Sequence, residues 1–238
     1  LLLMPVNAYW LIMMELVRAA PNPTTLSIFS NCIFILVVLY GINRVIAKTR
    51  FKAHVLSKGE MLLIYAMLNI SSCMAGHDFV EVLVPTLTWP YSQASSSNHY
   101  DVFVQPYLPK WAMMTNVDAA RGFWQGHDTL YTPDHINAWL KVALIWTVFI
   151  IVLVFVLQCI NVLIRKQWTE NEKLAYPLTM IPLSILDSHE GSGSSPGLAR
   201  NKLFWVGFLF AAAIDLVNSI NYYYPSFPAI GPGNGQTY

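Results

Sequence analysis

One stretch constrains this chain more than any other: residues 142–164 contain no charged side chain. As a helix rising about 1.5 Å per residue they would cover about 34 Å, enough for a hydrocarbon layer of about 30 Å. A helix that is apolar on every side needs a deep protein core or lipid around it. Composition extends the argument to the rest of the chain. Of 238 residues, 55% are hydrophobic and only 11% are charged, whereas a soluble domain carries about 25% charged residues. The net charge of +1 provides no global field for a polyanion, so nucleic acid is not an expected partner. Disordered and fibrous classes are excluded by the same apolar content. The expected fold is all-α, a polytopic transmembrane bundle whose first partner is the lipid bilayer.

Four further stretches fit that class. Residues 24–46 run uncharged to Arg44, with Thr24-Thr25 as the expected N-cap after Pro21-Asn22-Pro23. Residues 203–224 contain one acid, Asp215. Residues 61–89 exceed one crossing and hold His77, Asp78, Glu81 and Pro85, so they are expected to be tilted or broken near Gly76. Residues 1–14 read as a truncated first helix, and the chain as the N-terminal part of one larger transmembrane domain, about five spans in all. The long uncharged helix is expected to begin at Thr132-Pro133-Asp134, with Thr as cap, Pro at the first helical position and Asp at the positive end of the dipole.

Basic residues predict sidedness, because Lys and Arg are retained on the cytoplasmic side during insertion. Arg44, Lys48, Arg50, Lys52 and Lys58 fall in one connection, and Arg165, Lys166, Lys173, Arg200 and Lys202 in another. The connection 90–136 is poor in them and carries several Asp. The predicted arrangement has the N-terminus inside, 90–136 outside as an extracytoplasmic cap, and 165–202 inside with a re-entrant or surface-lying segment at 168–186. Trp89, Tyr91, Trp139, Trp168, Trp205 and Tyr222 to Tyr224 fall where interfacial belts are expected. Cys32, Cys73 and Cys159 lie within apolar stretches, which supports neither a disulfide framework nor a cysteine zinc site.

The inner connection contains Trp168-Thr169-Glu170-Asn171-Glu172-Lys173-Leu174-Ala175-Tyr176-Pro177-Leu178. This resembles the Trp-x-Glu-x-Glu-(Arg/Lys)-Leu-x-(Phe/Tyr)-Pro-Leu segment of a bacterial family of large multi-pass membrane proteins, a domain of unknown function. Asn7-Ala8-Tyr9-Trp10, Ala75-Gly76-His77-Asp78, Tyr107-Leu108-Pro109, Leu130-Tyr131-Thr132-Pro133 and Asn201-Lys202-Leu203-Phe204-Trp205 resemble it too. Lys173-Leu174-Ala175-Tyr176-Pro177 is also similar to the Lys-Leu-x-Tyr-Pro element of the oligopeptide transporter superfamily. There Ser-Gly-Thr-Ala follows, and here only Thr179 fits loosely. The resemblance implies a carrier of peptides or related small solutes, driven by protons, at the bacterial inner membrane.

Ionisable groups in apolar stretches supply the candidate residues, since a central acid costs about 2.5–3.5 kcal/mol on insertion scales and usually marks a pathway or a partner. Asp215 stands about 18 Å along its helix from Leu203, with Asn218, Ser219 and Tyr222 on the same face. His77 and Glu81 are four apart beside Asp78, and Glu15 with Arg18 could reach the same level. Such a group can hold a cation, relay a proton or only fix packing. Glu170, Glu172, Lys173, Tyr176 and Pro177 are expected at a gate or re-entrant segment, where Pro177 and Pro182 would break a helix. His99, His127 and His135 read as decoration of a solvated cap. No phosphate loop, Gly-x-Ser-x-Gly or His-Glu-x-x-His is present, and no cofactor or metal is assigned. Two functions compete with transport: a membrane-embedded metal-dependent enzyme, and a non-catalytic assembly subunit. A homo-oligomer is compatible with any of them.

Overall fold

The computed structural model describes residues 1–17, 23–50, 52–126, 128–174, 176–187 and 201–230, all helical or irregular, with no strand among them. It divides into two compact units, Leu1–Phe34 with Leu63–Tyr176, and Ile35–Leu62 with Pro177–Tyr238. Helices α2 (Ser30–Ala47) and α3 (Lys58–Ala75) contribute residues to both.

In the first unit α1 (Leu3–Ile12) runs on into a π turn at Met13–Val17. Thr24 does not cap α2. It lies in the 3-10 turn Pro23–Thr25, its hydroxyl bonds elsewhere, and the helix opens at Ser30. The stretch 61–89 is broken: α3 stops at Ala75 and α4 (Val80–Ser92) starts after Phe79. Pro85 and Pro90 sit inside α4 and deprive it of two backbone donors. Hydroxyls bond to neighbouring carbonyls, Thr86 to that of Val82 at 2.7 Å and Thr88 to that of Val84 at 3.0 Å, and the Gln105 side chain donates to that of Pro90 at 2.9 Å.

The connection 90–136 is built rather than loose. After α5 (Tyr100–Phe103), α6 (Val117–Gln125) opens with Asn116 accepting from the Ala119 amide and ends at Gly126, whose φ of 67° suits a residue without Cβ. Ala119 and Ala120 allow α6 to lie close on α4. Together with Leu87, Tyr91, Met113, Met114 and Val142 they form the buried core of this region. Each fully buried Leu or Met contributes about 1.5–3 kcal/mol. The Trp146 indole donates to the Ala112 carbonyl at 2.9 Å, and the Met114 amide to that of Leu87 at 3.2 Å.

Helix α7 (Pro133–Lys166) has 34 residues, with Pro133 at its first turn as expected. Thr132 occupies the cap position, but its hydroxyl makes no capping bond and is buried without a partner among the described residues. Beyond Lys166 a π turn, Gln167–Asn171, ends the helix, and Lys173 turns the chain with a φ of 49°.

The second unit is held by short-range polar devices. Asn43 receives the Leu56 amide at 2.8 Å and donates to its carbonyl at 2.9 Å, fixing the link from α2 to α3. Ser57 and Glu60 form a reciprocal capping box at the start of α3. Lys58 pairs with Asp187, just beyond α8 (Pro177–Leu186). Neither proline breaks α8: Pro177 begins it, where no backbone donor is needed, and Pro182 is carried within it. The last helix, α9 (Lys202–Tyr223), is capped by Asn201 and has no buried residue. Among the described residues three helices are long and apolar enough to cross a membrane, Ser30–Ala47, Pro133–Asn171 and Lys202–Tyr223, and Leu3–Val17 is a shorter apolar helix.

Candidate functional site at the break between α3 and α4

The break places polar groups where an unbroken helix would have none. When α3 stops at Ala75, the amide of His77 is no longer held by the helical ladder and donates to Glu15 Oε2 at 3.1 Å. Glu15, on the π turn that extends α1, is only 6% exposed. Its carboxylate also receives the Thr24 amide at 2.9 Å and the Thr24 hydroxyl, 2.8 Å from Oε1 and 2.9 Å from Oε2. Three segments therefore converge on one buried acid, which is well solvated by donors. Gly76 makes the approach possible. A Cβ built there would lie 2.4 Å from the Thr24 hydroxyl oxygen.

Glu81, in the first turn of α4, is 8% exposed, and its buried Oε1 has no hydrogen-bond partner among the described residues. It stands within the field of both Glu15 and His77. His77 and Asp78 form an exposed pair, Nδ1 to Oδ1 3.1 Å. The structure thus brings Glu15, His77, Asp78 and Glu81 together at one break. Arg18, expected beside Glu15, lies outside the described residues, as does His127. Among the described residues, no group of three His, Cys, Asp or Glu side chains is placed to hold a metal ion.

The remaining candidates stand apart from this cluster. At the end of α7, Gln167 donates to Glu172 Oε1 at 3.0 Å and accepts from Asn171 at 2.7 Å. Glu172 thus takes part in terminating a helix, and Glu170, Lys173 and Tyr176 are exposed. The chain passes from one compact unit to the other between Tyr176 and Pro177. Asp215 is exposed on α9. Asn218 makes two bonds to the backbone of Ile230, at 2.9 and 3.2 Å, and pins the segment beyond the helix.

A second polar cluster was not expected. Asn7 of α1, Asn31 of α2 and Ser72 of α3 are each at most 2% exposed. Asn31 donates to Asn7 Oδ1 at 2.8 Å and to the Ser72 hydroxyl at 2.9 Å, and Asn7 donates to the same hydroxyl at 2.8 Å. Cys32 Sγ is 3.2 Å from that hydroxyl. Two amides in otherwise apolar runs were the available signal; the pairing spans 65 residues and left none.

Residues 1–233 match the model of a family described as a family of unknown function (DUF6785). No curated protein and no solved structure matches the chain.

Proposed function

We propose, from the premise that the chain belongs to that family, that it is part of a multi-pass inner-membrane carrier that moves peptides or related small solutes with protons. The observation carrying this reading is the pair of buried carboxylates, Glu15 and Glu81, meeting at a broken helix. Discontinuous helices line sites where substrate or coupling ion is bound. Glu15 is fully engaged by Thr24 and His77 and acts as a fixed acceptor post. Glu81, with one oxygen unsatisfied, is the group that takes up and releases the proton. Among the described residues the charged and titratable groups around it are Glu15 on the π turn beyond α1 and His77 at the break, with Asp78 exposed alongside.

In this reading five segments cross the membrane: the three long helices, the α1 segment, and the broken α3–α4 stretch. The basic connections lie inside, and 90–136 lies outside. Asp215 belongs to the pathway or to a contact with a second copy, and the Lys173-to-Pro177 segment to a gate. The resemblance of that segment to oligopeptide transporters favours peptides as cargo.

Proteoliposomes containing the full-length protein should accumulate labelled trialanine when a proton gradient is imposed. Glu81→Gln should remove the dependence on the gradient, and Asp215→Asn should weaken uptake. Uptake that ignores the gradient, or a Glu81→Gln protein that remains coupled, contradicts the assignment. Tags after Lys52 and near Ser96 should be accessible from opposite faces; labelling from one face overturns the threading.

A further inference from the structure

A cavity of about 600 Å³ opens between α4, α6 and α7. Its walls are Val84, Phe123, Leu130, Ile136, Trp139 and Leu140, and its polar end is formed by Asp128, Thr129 and His135. We propose that it binds a small organic ammonium ion, an alkyl or aryl amine, with the apolar body against Trp139 and Phe123 and the cationic head on Asp128 and His135.

The polar end fixes the sign of the head group. His135 Nδ1 is 3.0 Å from the Thr129 carbonyl oxygen, an atom that can only accept, so Nδ1 carries the proton. Asp128 Oδ2 lies 3.4 Å from the same nitrogen. No partner is seen for the other ring nitrogen, Nε2, among the described residues. The Asp128 carboxylate is held by the Thr129 amide at 2.7 Å and packs against Gly122, where a built Cβ would stand 1.8 Å from Oδ2. The Asp128 carboxylate is the negative group of the polar end, matched by an ammonium head that donates to it.

The lining contains no Lys or Arg among the described residues. A carboxylate head, or a phosphate with no ammonium of its own, would therefore meet Asp128 with nothing to offset it. The volume is that of a small-molecule site, apolar with a few convergent polar groups. His135 and Trp139 share one face of α7, four residues apart, so one rigid helix sets the spacing between head and body.

The test is calorimetric titration of the full-length protein in lipid nanodiscs with hexylamine and, separately, hexanoate, against empty nanodiscs. Hexylamine should give saturable heat beyond the empty-disc control, and hexanoate none. Asp128→Asn should weaken hexylamine binding at least about tenfold. Gly122→Ala should do the same by displacing the carboxylate, while alanine favours the α6 helix and so preserves the fold. Equal binding of the two probes, no heat above the control, or unchanged affinity in both variants overturns the proposal. No gradient or transport is involved, so this result is separate from that of the uptake assay.

Discussion

Gly76 and Thr24 approach so closely that a Cβ carbon on the glycine would lie 2.4 Å from the threonine hydroxyl oxygen and 2.6 Å from its Cβ. The φ angle of Gly76 is not in the left-handed region, so the glycine is required for space and not for backbone freedom. Gly76→Ala should push Thr24 off Glu15 and cost about 1–3 kcal/mol, the usual range for an overpacked site. The midpoint of thermal unfolding of detergent-solubilised protein measures it; an unchanged midpoint means the segment yields without losing the Thr24–Glu15 bonds.

Glu15 and Glu81 predict opposite outcomes for the same chemical change. Glu15→Gln puts an amide donor among three donors and should lose about 1.5–3 kcal/mol for each charge-assisted bond broken. Glu81→Gln removes an acid whose Oε1 has no partner, so stability should hold or rise. Comparing the two melting curves checks this, and a large loss from Glu81→Gln would mean that Oε1 has a partner in the folded protein.

Ser72 links α1, α2 and α3 through one hydroxyl that is fully buried. Ser72→Ala should leave the amides of Asn7 and Asn31 each one acceptor short, at about 1–3 kcal/mol. A double-mutant cycle with Asn7→Ala should show strong coupling, since both changes act on the same bond. Additive effects would show that the network does not act as a unit.

The capping box at α3 makes a prediction for acid. Ser57 donates its backbone amide at 2.7 Å and its hydroxyl at 2.9 Å to Glu60 Oε2, and these bonds hold the Glu60 carboxyl below its ordinary 4.5. A carboxylate lowered on folding stabilises above its unfolded value and stops doing so as pH falls through the folded one. Amides in the first turn of α3 should therefore exchange at a pH-corrected constant rate above pH 4.5 and faster below it. Glu60→Gln should remove that step in hydrogen-exchange mass spectrometry, and a step that persists must come from another acid.

Local signals in the sequence located several of the helices, and of the pairings across the chain only the approach of Glu15 to the level of His77. The uncharged run 142–164 gave α7, and Thr132-Pro133 marked its start, because length and proline geometry act within a few residues. The length of 61–89 and its polar residues left a tilted helix or a break near Gly76 open, and the structure has the break. Thr24 misled: a threonine after proline fits an N-cap, yet a buried carboxylate nine residues earlier is a better acceptor for its hydroxyl than a free helix end is a donor. The connection 90–136 read as solvated because its prolines and acids are visible in the sequence, whereas the two-alanine face that docks it on α4 becomes meaningful only with its partner present. His135 read as decoration for the same reason; its partner Asp128 is seven residues away across the start of a helix.

The 34 residues of α7 make a rod about 51 Å long, about 20 Å more than a hydrocarbon layer is thick. Pro133 stands in its first turn and no other proline interrupts it, so nothing along it is built to absorb a bend. Whatever changes its lean at the His135 end must swing the Gln167 end sideways. The two ends of α7, at His135 and at Gln167, are thus fixed to one another by a single straight element.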